Sequence, residues 1–89
     1  MPMFIFENME SREIASTDAV NESKARLDLG EKWHLARLVP HSDAQKLFNE
    51  TVAGERAANL KNAPDAKQLK TRRETLALIV ARLMKGSGK

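Results

Sequence analysis

The sequence has no cysteine and no tyrosine, only three prolines and four glycines, and aromatic residues make up 4% of it. The missing cysteine excludes disulfide staples, thiolate nucleophiles, iron–sulfur clusters and zinc sites built on sulfur. Small secreted domains ordinarily depend on such staples, so the sequence predicts a cytoplasmic protein. No stretch approaches the roughly 18 apolar residues of a membrane span. The short apolar run after Pro2 has no leading Lys or Arg and is followed by Glu7, Glu10 and Glu13, so no signal peptide is expected.

What the chain does have is charge and aliphatic residues, at 30% charged and 42% hydrophobic. At 89 residues, folding removes only roughly 60 to 65% of the surface from water. That size predicts one domain (1–89) with a thin core between a few helices, and no deep substrate cavity. The charge is uneven. Residues 1–31 carry three bases (Arg12, Lys24, Arg26) against seven acids, net −4, and residues 32–89 carry twelve bases against five acids, net +7. Such a dipole along the sequence marks either a basic arm for polyanions or an acidic segment that meets the basic one in a dimer.

Apolar spacing sets the expected elements. From Asp65 to Lys85, Leu69, Leu76, Ile79, Val80, Leu83 and Met84 form one arc at 100° per residue, the mark of a surface helix with one buried face. Asp65 with Gln68 reads as its capping box, and Gly86 as its exit. Ser42 with Gln45 reads as a second capping box, opening a helix whose face is Leu47, Phe48, Thr51 and Val52. Glu55 projects into that face, so Gly54 is expected to kink or stop the helix. Between Asp18 and Val39, the residues Val20, Leu27, Leu35 and Leu38 share a helical side, capped by Ser16, Thr17 or Asp18, which predicts one long helix or two joined at Gly30, the natural break. Met3 to Phe6 is the only β-prone run, and it lacks strand alternation. The expectation is an all-α fold: a bundle of three to four helices over 18–39, 42–61 and 65–85, with an extended N-terminal arm (1–17) and a flexible tail (86–89).

No motif reaches a catalytic, metal or nucleotide site, so no enzyme and no cofactor are expected. His34 and His41 lie seven apart across Pro40, whereas a zinc helix wants i, i+4. The carboxylates are scattered, and Gly86-Ser87-Gly88-Lys89 lacks the spacing of a phosphate loop. A membrane-surface role for the last helix lacks Trp or Phe on its apolar face.

Two binding roles remain. Lys67, Lys70, Arg72, Arg73 and Arg82 make a basic helix that can track nucleic-acid phosphates. Against this, helix-turn-helix readings place Glu50 and Glu55, or Arg26 and Glu31, where a small and an apolar residue belong. A ribbon-helix-helix reading offers only Phe and Ile to base edges. The other role is protein binding. Phe4, Ile5 and Phe6 have no evident place in a three-helix core, and Leu78 projects from the polar side of the last helix, so both read as interface. The leading expectation is a small non-catalytic regulatory or accessory protein, an inhibitor, adaptor or self-associating subunit, acting on a protein partner or on itself. A nucleic-acid-binding regulator is the alternative.

Overall fold

The computed structural model describes residues 2–87. Along the chain run β1 (Met3–Glu7), β2 (Ile14–Asp18), α1 (Glu22–Leu29), a 3-10 turn (Glu31–Trp33), β3 (Arg37–Val39), a second 3-10 turn (His41–Asp43), α2 (Ala44–Leu60) and α3 (Ala66–Ser87). The strands pair antiparallel in the order β2-β1-β3. The fold is therefore α+β, which corrects the all-α helical bundle expected from apolar spacing. The chain divides into two compact units, residues 1–41 and 42–89.

In the first unit β1 is the central strand, and its lack of alternation follows from that position. A strand buried on both faces reads as a continuous apolar run. Phe4 and Phe6 point to one face, Met3 and Ile5 to the other. Phe6 joins Ala19, Ala25, Trp33 and Ala36 in a core, against which Phe4, Ala15 and Leu29 pack. On the opposite face Ile5 stands across from Val39, and Glu7 across from Arg37. The buried Glu7 carboxylate accepts hydrogen bonds from Arg37 Nη2 at 2.7 Å and Nε at 3.2 Å, with Arg12 Nε 3.7 Å from its other oxygen. The extended arm expected over 1–17 is thus a hairpin, β1 and most of β2, within a sheet.

The hairpin between β1 and β2 is organised by Asn8. Its Oδ1 accepts the backbone N–H groups of Glu10 and Ser11, at 3.0 and 3.1 Å, and its Nδ2 donates to the Lys32 carbonyl at 3.2 Å. An asparagine side chain that substitutes for backbone partners favours such turns.

The expected helix over 18–39 is replaced by α1, the first 3-10 turn and β3. Asn21 is the N-cap, its Oδ1 accepting from Lys24 N at 2.8 Å, in place of Ser16, Thr17 or Asp18. Gly30 does end the helix, at φ +106° and ψ 172°, backbone that side chains with a Cβ rarely adopt. The residues read as the buried stripe, Val20, Leu27, Leu35 and Leu38, are all exposed, Leu35 to 94%. The core takes Ala25, Trp33 and Ala36 instead.

The second unit is a helical hairpin. α2 starts after the His41–Asp43 turn with Asp43 as its cap residue, and Asp43 makes no side-chain cap bond, so the Ser42 capping box is not what starts it. α2 runs unbroken through Gly54, correcting the expected kink. Glu55 lies on the buried side because it meets a partner there, the guanidinium of Arg73 on α3. Arg72, also buried, donates to Thr51 Oγ1 at 3.2 Å, and Thr51 donates to the Leu47 carbonyl at 2.7 Å. Asn62, at φ +51°, turns the chain between the helices. α3 continues through Ser87, past the expected exit at Gly86, and Gly88 and Lys89 of the expected tail lie outside the described residues.

Candidate functional site

One surface of α3 collects several of the candidate residues. Lys67, Lys70, Glu74, Leu78, Arg82 and Lys85 follow one another at steps of three or four, so they form a single row along the helix, about 27 Å long at 1.5 Å per residue. Every one of them is exposed. Leu78, 70% exposed, stands near the middle of the row. Two cations precede it and two follow it, with Glu74 one turn before it.

The remaining candidates are used elsewhere. Arg72 and Arg73 point into the α2–α3 seam, where Thr51 and Glu55 take their donors. The hydrogen bond to Glu55 pushes Arg73's pKa further up, so its charge is fixed. Ile5 and Phe6 are fully buried in the first unit and Phe4 is half-buried. Of the residues singled out for binding, the row on α3 keeps Lys67, Lys70, Leu78 and Arg82.

A second surface, which the sequence did not reveal, lies in the first unit. Beside the β1–β2 turn a recess of about 470 Å³ is lined by Met9, Leu35, Ala36, Glu10, Glu31 and Lys32, together with Asn8. Met9 is 58% exposed, and Leu35 is nearly bare. Lys32 is held by Glu13, and the Lys32 and Ser11 hydrogen bonds lower the Glu13 pKa below the usual carboxylate range. Glu10 and Glu31 leave the recess acidic. Leu35 was absorbed into an apparent buried stripe, which concealed it. The available signal was the Gly30 break, since a helix ending there cannot carry Leu35 on the same side as Leu27.

Arg26 positions this recess. Its Nη1 donates to the carbonyls of Trp33, His34 and Ala36 at 3.0, 3.0 and 2.7 Å, and its Nε and Nη2 both bond Glu22 Oε2. The guanidinium also lies 4.7 Å from the Phe6 ring centroid. The segment 33–36, which presents Leu35, is thereby tied to α1 and to the core.

Neither histidine joins a constellation. His34 is exposed, and His41 Nε2 bonds the Met3 carbonyl. Among the described residues no three His, Asp or Glu side chains converge on a metal position, and no helix is long and apolar enough to cross a membrane. What the geometry offers is contact surface: a cationic row with an apolar centre, and an acidic recess with apolar walls.

The class defined so far is a three-stranded α+β unit followed by a helical hairpin. No protein-family model, curated protein or solved structure matches the chain.

Proposed function

We propose that this chain is a non-catalytic, cytoplasmic regulatory or accessory protein that works by binding a protein, through the row on α3 centred on Leu78. The observation that carries the reading is the exposed Leu78 set between Lys67 and Lys70 on one side and Arg82 and Lys85 on the other. An apolar anchor ringed by charge is how protein interfaces are commonly built. The ring selects a partner with acidic groups around an apolar contact. A polyphosphate chain uses the cations but gains nothing from Leu78 and is repelled by Glu74. With Arg72 and Arg73 engaged by α2, the nucleic-acid alternative rests on Lys67, Lys70 and Arg82 alone.

Two measurements test the reading. A photo-crosslinking amino acid placed at position 78 in cells that make the protein is expected to give protein adducts, and the same group at position 49, exposed on α2, is expected to give few. Anisotropy with mixed-sequence DNA and RNA, single- and double-stranded, is expected to show no binding that falls steeply with salt. Equal adducts from both positions, or tight salt-dependent nucleic-acid binding abolished by neutralising Lys67 and Lys70, would overturn it.

A further inference from the structure

The charges on α3 restrict what the row can bind. If two copies paired row against row in parallel, every charge of the row would face its own like, and in an antiparallel pairing about Leu78 Glu74 would meet Arg82 but Lys70 would meet Lys85. Like charges set opposite one another disfavour the parallel pairing and leave the antiparallel one without a net charge advantage. An acidic, apolar surface suits the row better than the row itself, and the chain carries one. The recess beside the β1–β2 turn has Met9, Leu35 and Ala36 as apolar walls and Glu10 and Glu31 as acids, and its one lysine, Lys32, is occupied by Glu13. At about 470 Å³ it has room for a leucine side chain with its neighbours.

Resting on the protein-binding reading above, we propose that the partner is a second copy of this chain: Leu78 of one copy seats in the Met9–Leu35 recess of another, with Lys70 and Lys85, on either side of it in the row, toward Glu10 and Glu31. The argument is complementarity on both counts. Leu35, the most exposed large hydrophobic residue of the described chain, and Leu78, at the centre of the row, are covered together. The unit of residues 42–89, with ten bases against five acids, meets the unit of residues 1–41, with five bases against seven acids, across molecules. Each copy offers one row and one recess, so the contact joins unlike surfaces of the two copies. Because charges flank the apolar contact, salt loosens the association.

Sedimentation velocity on the full chain, from low-micromolar to submillimolar concentration and at two salt concentrations, reads this directly. The wild-type mass is expected to grow past that of a monomer with concentration and to fall back at high salt. Leu78→Asp and Leu35→Asp alter exposed positions, so Trp33 emission and far-UV ellipticity should match the wild type, and each variant alone should stay monomeric. Mixed in equal amounts they should form a one-to-one dimer and stop there, because Leu78→Asp keeps the recess and Leu35→Asp keeps the row. A wild type that is monomeric throughout, or a mixture no heavier than its parts, overturns the self-association. In that event adducts from position 78 to other proteins would keep the protein-binding reading, and their absence would remove both.

Discussion

Replacing Arg26 with methionine keeps the apolar stem and removes every polar contact of the guanidinium, which makes it the sharpest test of how the first unit is held. Three carbonyls, those of Trp33, His34 and Ala36, share Nη1. A hydrogen bond from a charged donor contributes about 1.5 to 3 kcal/mol, but one nitrogen shared by three acceptors, with water able to reach them, is counted as about one such bond. The guanidinium over Phe6 adds about 0.5 to 1 kcal/mol. The half-exposed pair with Glu22, one turn away, adds about 0.3 to 0.5 kcal/mol. The loss is therefore about 3 kcal/mol, a large part of the total for a small domain. Trp33 is the only tryptophan and is buried in the core of this unit, so its emission in a urea titration reports the unit directly. With a slope of about 1 kcal/mol/M, the midpoint should fall by about 2 to 3 M. Arg26→Lys retains the charge but not the planar fork and should fall between the two. If Arg26→Met lies within about 0.5 kcal/mol of wild type, in the range of an ordinary surface change, the keystone role is wrong.

Two glycines should respond in opposite directions to alanine. Gly30→Ala forces a Cβ into backbone that is essentially reserved for glycine and should cost about 1 to 3 kcal/mol, read by the same urea titration. Gly54→Ala places its Cβ 3.9 Å from Leu69 Cδ1, an ordinary contact, and should raise the thermal midpoint through a helix-propensity gain of about 1 kcal/mol. Asn8→Ala leaves the amides of Glu10 and Ser11 and the Lys32 carbonyl without their partner and should destabilise by about 2 kcal/mol, with loss of hydrogen-exchange protection at the turn. The Glu13 carboxyl is held below its ordinary pKa by Lys32 and Ser11, so its contribution is present above the unfolded value and is lost as pH falls through the folded one. Both partners are about half exposed, so the difference between wild type and Glu13→Gln should be about 0.5 kcal/mol or less at neutral pH and should vanish in acid.

The two units differed in how far the sequence could be read. α3 was legible because an amphipathic helix on a surface leaves a stripe of apolar residues at its own period, and Leu69, Leu76, Ile79 and Val80 do face inward, whereas Met84 of the same arc is exposed. The first unit was not. Three of its strands are five residues or fewer, and one, Arg37–Val39, is too short to show any period. Its core uses Ala19, Ala25 and Ala36, small residues that apolar counting discounts, around one Phe and one Trp. Meanwhile Val20, Leu27, Leu35 and Leu38 aligned by chance at helical spacing and are exposed. Periodicity identifies a buried face only where the element is long enough for chance alignment to fail, and α1 has eight residues.

The charged residues carried information that the apolar pattern hid. Glu55 in the apolar face of α2 looked like evidence of a break at Gly54, and Arg72 and Arg73 looked like surface cations. Each anomaly explains the other once α2 and α3 are paired, since Arg73 meets Glu55 and Arg72 meets Thr51. An aliphatic seam lets two helices slide by a turn at little cost. Two polar pairs in that seam do not, because a shifted register would leave a guanidinium and a carboxylate buried without partners. The same accounting bears on the binding surfaces. Once Arg73, Lys32 and Arg26 are assigned to partners within their own units, Leu78 with Lys67, Lys70 and Lys85 on its row, and Leu35 with Glu10 and Glu31 beside it, stand out as surface for binding.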